Sequence, residues 1–173
     1  MAEILHDWIK RVIPGIQPWI STQVDQGALW FNETTNKLKD APAGIVCLSQ
    51  ENKDRPWILF EAGALATSQS SKLCILLTDL QPPDLKDPLA QFQCTLPTES
   101  SMWALVKTLN GQLGSASHNE ELLELFFKKC WPQFEKEFAS ALNNTSSEKM
   151  NEQRSGEEML IEILGGSFKT RDC

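Results

Sequence analysis

The chain has 173 residues, 41% hydrophobic and 23% charged, enough for one globular domain with its own core. Its net charge of −7, with lysines and arginines scattered along the chain, argues against unaided binding to nucleic acid or to an anionic membrane surface. No stretch approaches the roughly 20 apolar residues a membrane-spanning helix needs, and the opening lacks the basic-then-apolar pattern of a secretory signal, so a cytoplasmic protein is expected.

Ile4, Leu5, Trp8, Ile9 and Val12 recur at helical spacing and predict an amphipathic helix over residues 2–13, ended by Pro14-Gly15. Trp19-Ile20-Ser21 reads as a short strand, residues 22–27 as a polar loop, and residues 28–38 as a helix with Trp30, Phe31 and Leu38 inward. Pro42-Ala43-Gly44 reads as a turn. Ile45-Val46-Cys47-Leu48 is an unbroken apolar run, the mark of a strand buried on both faces. A polar loop over residues 49–55 leads to Pro56, which favours a helix start, and residues 57–67 are expected to be helical.

Leu73-Cys74-Ile75-Leu76-Leu77 predicts a second buried strand. Residues 80–88 hold three prolines and are expected to be irregular, and residues 92–96 form a short fourth strand. Helices follow over residues 102–113 and 120–142; the second carries Leu122, Leu123, Phe126, Phe127, Trp131, Phe134 and Phe138, and Pro132 is expected to kink or split it. Residues 143–156 read as a polar linker, and residues 157–173 as a short tail or helix suited to partner contact.

Strands alternating with helices imply a three-layer arrangement, a parallel sheet flanked by helices. Ligands bind such sheets at the carboxyl ends of the strands. The loops over residues 22–27 and 49–55 are therefore expected to line a site. The five cysteines form no CxxC pair or Cys/His cluster, and no metal is expected; they read as reduced structural thiols. His6 and His118 read as solvated. Ser21 could act as a nucleophile only with a paired base, and no histidine lies near it in sequence.

Glu61 is the informative residue. It is the only charge in the run Trp57-Ile58-Leu59-Phe60-Glu61-Ala62-Gly63-Ala64-Leu65-Ala66-Thr67. A carboxylate in so apolar a helix is costly unless compensated. It either exploits the helix dipole and points to water, or marks a site. Trp57, four residues earlier, shares its helix face. An aromatic plane beside a carboxylate suits a nucleotide, although Trp57 serves equally well as a core anchor.

Gly44-Ile45-Val46-Cys47-Leu48-Ser49, then Glu51-Asn52, then the block from Pro56 through Leu65, resembles the core signature of bacterial Toll/interleukin-1-receptor-like (TIR-like) domains. Pro18-Trp19-Ile20-Ser21 with Asp25, Gly27 and Trp30, and the run from Pro88 to Gln93, are similar to that family as well. The resemblance runs from about Trp8 to Phe138. It implies a flavodoxin-like fold and, as in many members, cleavage of the nicotinamide–ribose bond of NAD, by hydrolysis or cyclisation, in antiviral defence and signalling. Glu61 then maps onto the catalytic glutamate. Trp57, Ser21, Ser49, Asp25 and Gly27 fall beside the substrate, NAD is the substrate rather than a cofactor, and self-association through TIR-like domains is implied. The family opens with a strand and a serine-rich loop before its first helix. This sequence opens at the helix, so residues 1–142 are expected to form a TIR-like domain without that strand. A non-catalytic TIR–TIR interaction module and a nucleoside ribosyl-transfer enzyme are the alternatives.

Overall fold

The structure is a computed structural model that describes residues 1–20, 41–56, 58, 63, 72–148 and 160–164. In chain order the elements are α1 (Ala2–Val12), β1 (Gln17–Ile20), β2 (Ala43–Leu48), β3 (Lys72–Leu77), β4 (Cys94–Thr95), α2 (Glu99–Gly111), α3 (Glu120–Glu148) and β5 (Leu160–Leu164). Three short 3-10 turns lie at Pro82–Asp84, Leu89–Gln91 and Gly114–Ala116. The strands form one sheet in the order β1-β5-β2-β3-β4. β2, β3 and β4 pair in parallel, while β5 pairs antiparallel with both β1 and β2, so β1 runs in the direction of β2. This is a mixed α/β fold whose sheet has apolar packing on both faces.

The alternation of side chains along β2 decides which layer each residue serves. Ala43, Ile45 and Cys47 face α1, α2 and α3 together with Ile20 and Leu76. Val46 and Leu48 face the other way, with Ile75, Leu77, Ile58, Leu80, Leu85 and Leu89. All six residues of β2 are buried, as expected of a strand covered on both faces. Ala43 and Gly44 belong to this strand rather than to the turn expected there, because Ala43 pairs with Lys72 and Gly44 with Leu73.

The first layer is built around an aromatic cluster. Trp8 of α1 is fully buried. Its ring stacks on Phe134 at 4.4 Å and meets Phe127 and Trp131 edge-on at 5.8 and 6.3 Å. α1 ends at a turn that requires glycine, since Gly15 takes φ +101°.

Two expectations are corrected. α3 runs unbroken through Pro132 to Glu148, past the expected helix end at residue 142, so residues 143–148 are helix rather than linker. Pro132 faces solvent, while Phe127, Trp131, Phe134 and Phe138 on either side of it are buried; their packing outweighs one missing backbone bond. Within the expected C-terminal tail or helix, Leu160–Leu164 is a strand. It lies in the interior of the sheet, because its peptide groups complete the ladders of β1 and β2 at once. The expected strands at residues 45–48, 73–77 and 92–96 and the helices at 2–13 and 102–113 each correspond to an observed element, with shifted ends. The helix expected over residues 28–38 lies outside the described residues.

Candidate functional site

The carboxyl ends of β2 and β3 are held by side chains rather than by further strand. Thr78, the first residue after β3, gives both its amide and its hydroxyl to Leu48 O, at 2.8 and 2.9 Å. Asp79 Oδ1 accepts the amide of Gln50 at 2.8 Å, which joins the loops leaving the two strands.

Asn52, 3% exposed, closes the other side of β2. Its Nδ2 donates to Cys47 O at 3.0 Å, and its Oδ1 accepts from the Ser49 amide at 2.8 Å. Leu48 bonds towards β3, so Cys47 and Ser49 turn their backbone groups towards β5. The described pairing of β5 with β2 stops at Val46↔Leu160. The Asn52 amide thus binds β2 as a peptide group of a neighbouring parallel strand would, taking the carbonyl before Leu48 and the amide after it.

Ser49 is half-buried, and its Oγ is shielded from solvent without a hydrogen-bond partner among the described residues. A hydroxyl in that state lacks a bond it readily makes, and a ligand group can supply one. The register places it further. Ile161 pairs with both Ile20 and Ile45, so the last residue of β1 is level with Ile45. Ser49 stands four residues beyond that level, roughly 13 Å along the strand direction, at the carboxyl edge of β2.

The histidines serve elsewhere, and the expectation that both are solvated is corrected. His6 bonds Pro18 O at 3.2 Å and Asp7 at 2.9 Å, and His118 Nε2 bonds Pro14 O at 2.6 Å. Asn110 also holds the backbone of His118 through two bonds of 2.9 Å. Pro18 is level with Ala43, since both pair with Ile163. The acceptor of His6 is therefore six residues below Ser49, roughly 20 Å away. His118 braces the turn that enters β1 and His6 the start of β1 itself, and neither is placed to activate Ser49.

Ser49 is the one predicted site residue within the described set. Glu61, Trp57, Ser21, Asp25 and Gly27 lie outside it. Their described neighbours are Ile20, which ends β1, and Pro56, Ile58 and Gly63, whose backbones are helical; Ile58 is fully buried beneath β2 and β3. Asn52, part of the resemblance but given no role there, is the residue that the structure adds.

Among the described residues no group of three or more His, Cys, Asp or Glu could hold a metal ion. Two open grooves lie on the helical layer. One, of about 450 Å³, is lined by Glu99, Trp103, Glu124, Phe127 and Lys128, and the other, of about 550 Å³, by Ile4, Gln133, Lys136, Glu137 and Asn144. In the first, Lys128 is bonded to Glu124 at 2.6 Å. Among the described residues no helix is long and apolar enough to cross a membrane.

The class these features define is a mixed α/β domain with a polar, side-chain-braced carboxyl edge. No protein-family model, no curated protein and no solved structure matches the chain.

Proposed function

We propose that the chain is a TIR-like domain that cleaves NAD at the nicotinamide–ribose bond, with Glu61 as the catalytic carboxylate. On this reading β1, β2, β3 and β4 follow the flavodoxin-like strand order, in which the first position lies between the second and third. The antiparallel strand β5 takes that central position. The nucleotide is taken to bind at the carboxyl edge of the sheet, beside the loop that leaves β2.

The observation that supports the reading is the Ser49 hydroxyl, shielded and without a partner among the described residues, on the loop that leads from β2 into the Trp57 to Glu61 run. The chemistry needs little else from the protein. Nicotinamide departs as a neutral base from a cationic pyridinium, so no group must protonate it. The C1′–N bond breaks. A C1′–O bond forms from water, whose proton passes to solvent, or an internal nucleophile of the nucleotide closes a ring. A carboxylate held in a dry pocket stabilises the oxocarbenium-like centre electrostatically. Ser49 gives its hydrogen bond to the nucleotide, and the resemblance implies that Trp57, Ser21, Asp25 and Gly27 fall beside the same substrate.

Incubation of the purified chain with NAD tests this reading. Chromatography is expected to show nicotinamide and an ADP-ribose product in equal amounts, with release slowed in Ser49→Ala. NAD that stays intact under conditions supporting self-association, while the chain still assembles, would leave the interaction-module reading in its place.

A further inference from the structure

We propose that Asn52 is a positioning residue for the nucleotide site, setting the Ser49 hydroxyl through the two bonds that its amide makes to β2. The proposal rests on the NAD-cleaving reading of that site and extends it to a residue that does not touch the substrate.

Asn52 bridges Cys47 O and the Ser49 amide, and so fixes the peptide groups on both sides of Leu48. The backbone returns on itself over the same stretch, with the Asn52 and Lys53 amides bonding Ser49 O at 3.3 and 3.1 Å. Ser49 is therefore held at its amide by a side chain and at its carbonyl by the turn. Among the described residues only its hydroxyl is uncommitted. The two neighbouring contacts reach other parts of the edge: Asp79 holds Gln50, and Thr78 holds Leu48. Asn52 alone among the described side chains bonds the backbone of Ser49 itself. Its near-complete burial suits this role, because an amide with both groups satisfied is stable out of water, whereas a carboxylate there would set an oxygen against Cys47 O.

The donor and the acceptor can be separated. Asn52→Asp keeps an acceptor for the Ser49 amide and loses the donor to Cys47 O; Asn52→Ala loses both.

The test is a double-mutant cycle on NAD turnover, with amide exchange on the same proteins. Ser49→Ala is expected to raise KM for NAD about five- to twenty-fold, the scale of one lost hydrogen bond. Asn52→Ala is expected to do the same with folded protein retained. The double variant is expected to be no worse than either single one, because both remove the same contact. The Ser49 amide is expected to exchange slowly in the wild type and Asn52→Asp, and quickly in Asn52→Ala. Additive losses in the cycle, or an Asn52→Ala protein that is merely less stable with unchanged KM and unchanged exchange at Ser49, would overturn the proposal. If Asn52→Ala does not fold, the cycle is run with Asn52→Asp. Its lost bond to Cys47 O is expected to raise KM by a smaller factor that vanishes in the Ser49→Ala background; an effect that persists there overturns the proposal. Absence of nicotinamide release from the wild type overturns the NAD reading and the kinetic role with it, while exchange at Ser49 still decides whether the clamp exists.

Discussion

The backbone amide of Gln50 donates to the carboxylate of Asp79 at 2.8 Å, so the loops that leave β2 and β3 are one unit at the carboxyl edge. Asp79→Ala is expected to cost about 1 kcal/mol of stability by urea unfolding, and Asp79→Asn, which keeps an acceptor oxygen, less than half of that. Equal losses in the two variants would mean that the charge, not the acceptor, holds the loops together.

Trp8 is the centre of the aromatic cluster, yet its indole Nε1 is buried with no hydrogen-bond partner among the described residues. Trp8→Ala opens a large cavity and is expected to cost about 3–5 kcal/mol. Trp8→Phe keeps a ring against Phe134 and removes an unsatisfied buried donor. Relief of that donor offsets part of the lost packing, so a cost below about 1.5 kcal/mol is expected. A Trp8→Phe protein as unstable as Trp8→Ala would show that the indole N–H has a partner in solution.

The fold was legible in the sequence where one pattern admitted one structure. The runs at residues 45–48 and 73–77 are too short and too apolar for a surface helix, and both are strands. The stripe from Leu5 to Val12 has helical spacing only, and α1 follows it. Leu160-Ile161-Glu162-Ile163-Leu164 was not legible, because five residues with one central charge fit a helical stripe and a strand alternation alike. Its place is set by pairing with residues 114 to 147 positions earlier, and no local signal carries that information. At the site, Ser49 could be read from its place at the end of a buried strand. Asn52 could not, because an asparagine in a polar loop has the same appearance whether it faces water or bonds the sheet.

Among the described strands, β5 bridges β1 and β2 and joins the sheet across that gap. Ile161→Pro removes a ladder donor at the residue paired with both Ile20 and Ile45. It is expected to destabilise the fold by about 3 kcal/mol or more in guanidinium unfolding. A midpoint equal to that of the wild type would show that β5 adds nothing to the sheet.

Cys74, Cys94 and Cys130 are free thiols. Burial pushes the Cys74 thiol up to about 11, against a smaller opposing pull from Lys72, and burial also raises Cys94. At pH 8 the thiolate fraction of Cys74 is on the order of one in a thousand, so iodoacetamide is expected to label Cys130 well before Cys74 in the native protein. The sign of the stability effect follows. The folded thiol stays protonated while the unfolded one ionises near pH 9, so stability is unaffected below pH 9 and falls as pH rises from 9 towards 11. Cys74→Ala is expected to remove that alkaline loss. An unchanged alkaline limb in the variant would assign the loss to another group.

The central claim is that one carboxylate carries the chemistry of a site at the carboxyl edge. The most direct measurement is nicotinamide release from NAD by the wild type and by Glu61→Gln, at matched thermal stability. Release by the wild type and a loss of at least a hundredfold in the variant are expected, as when a preorganised charge is removed from a developing cation. Equal rates in the two proteins would contradict that claim.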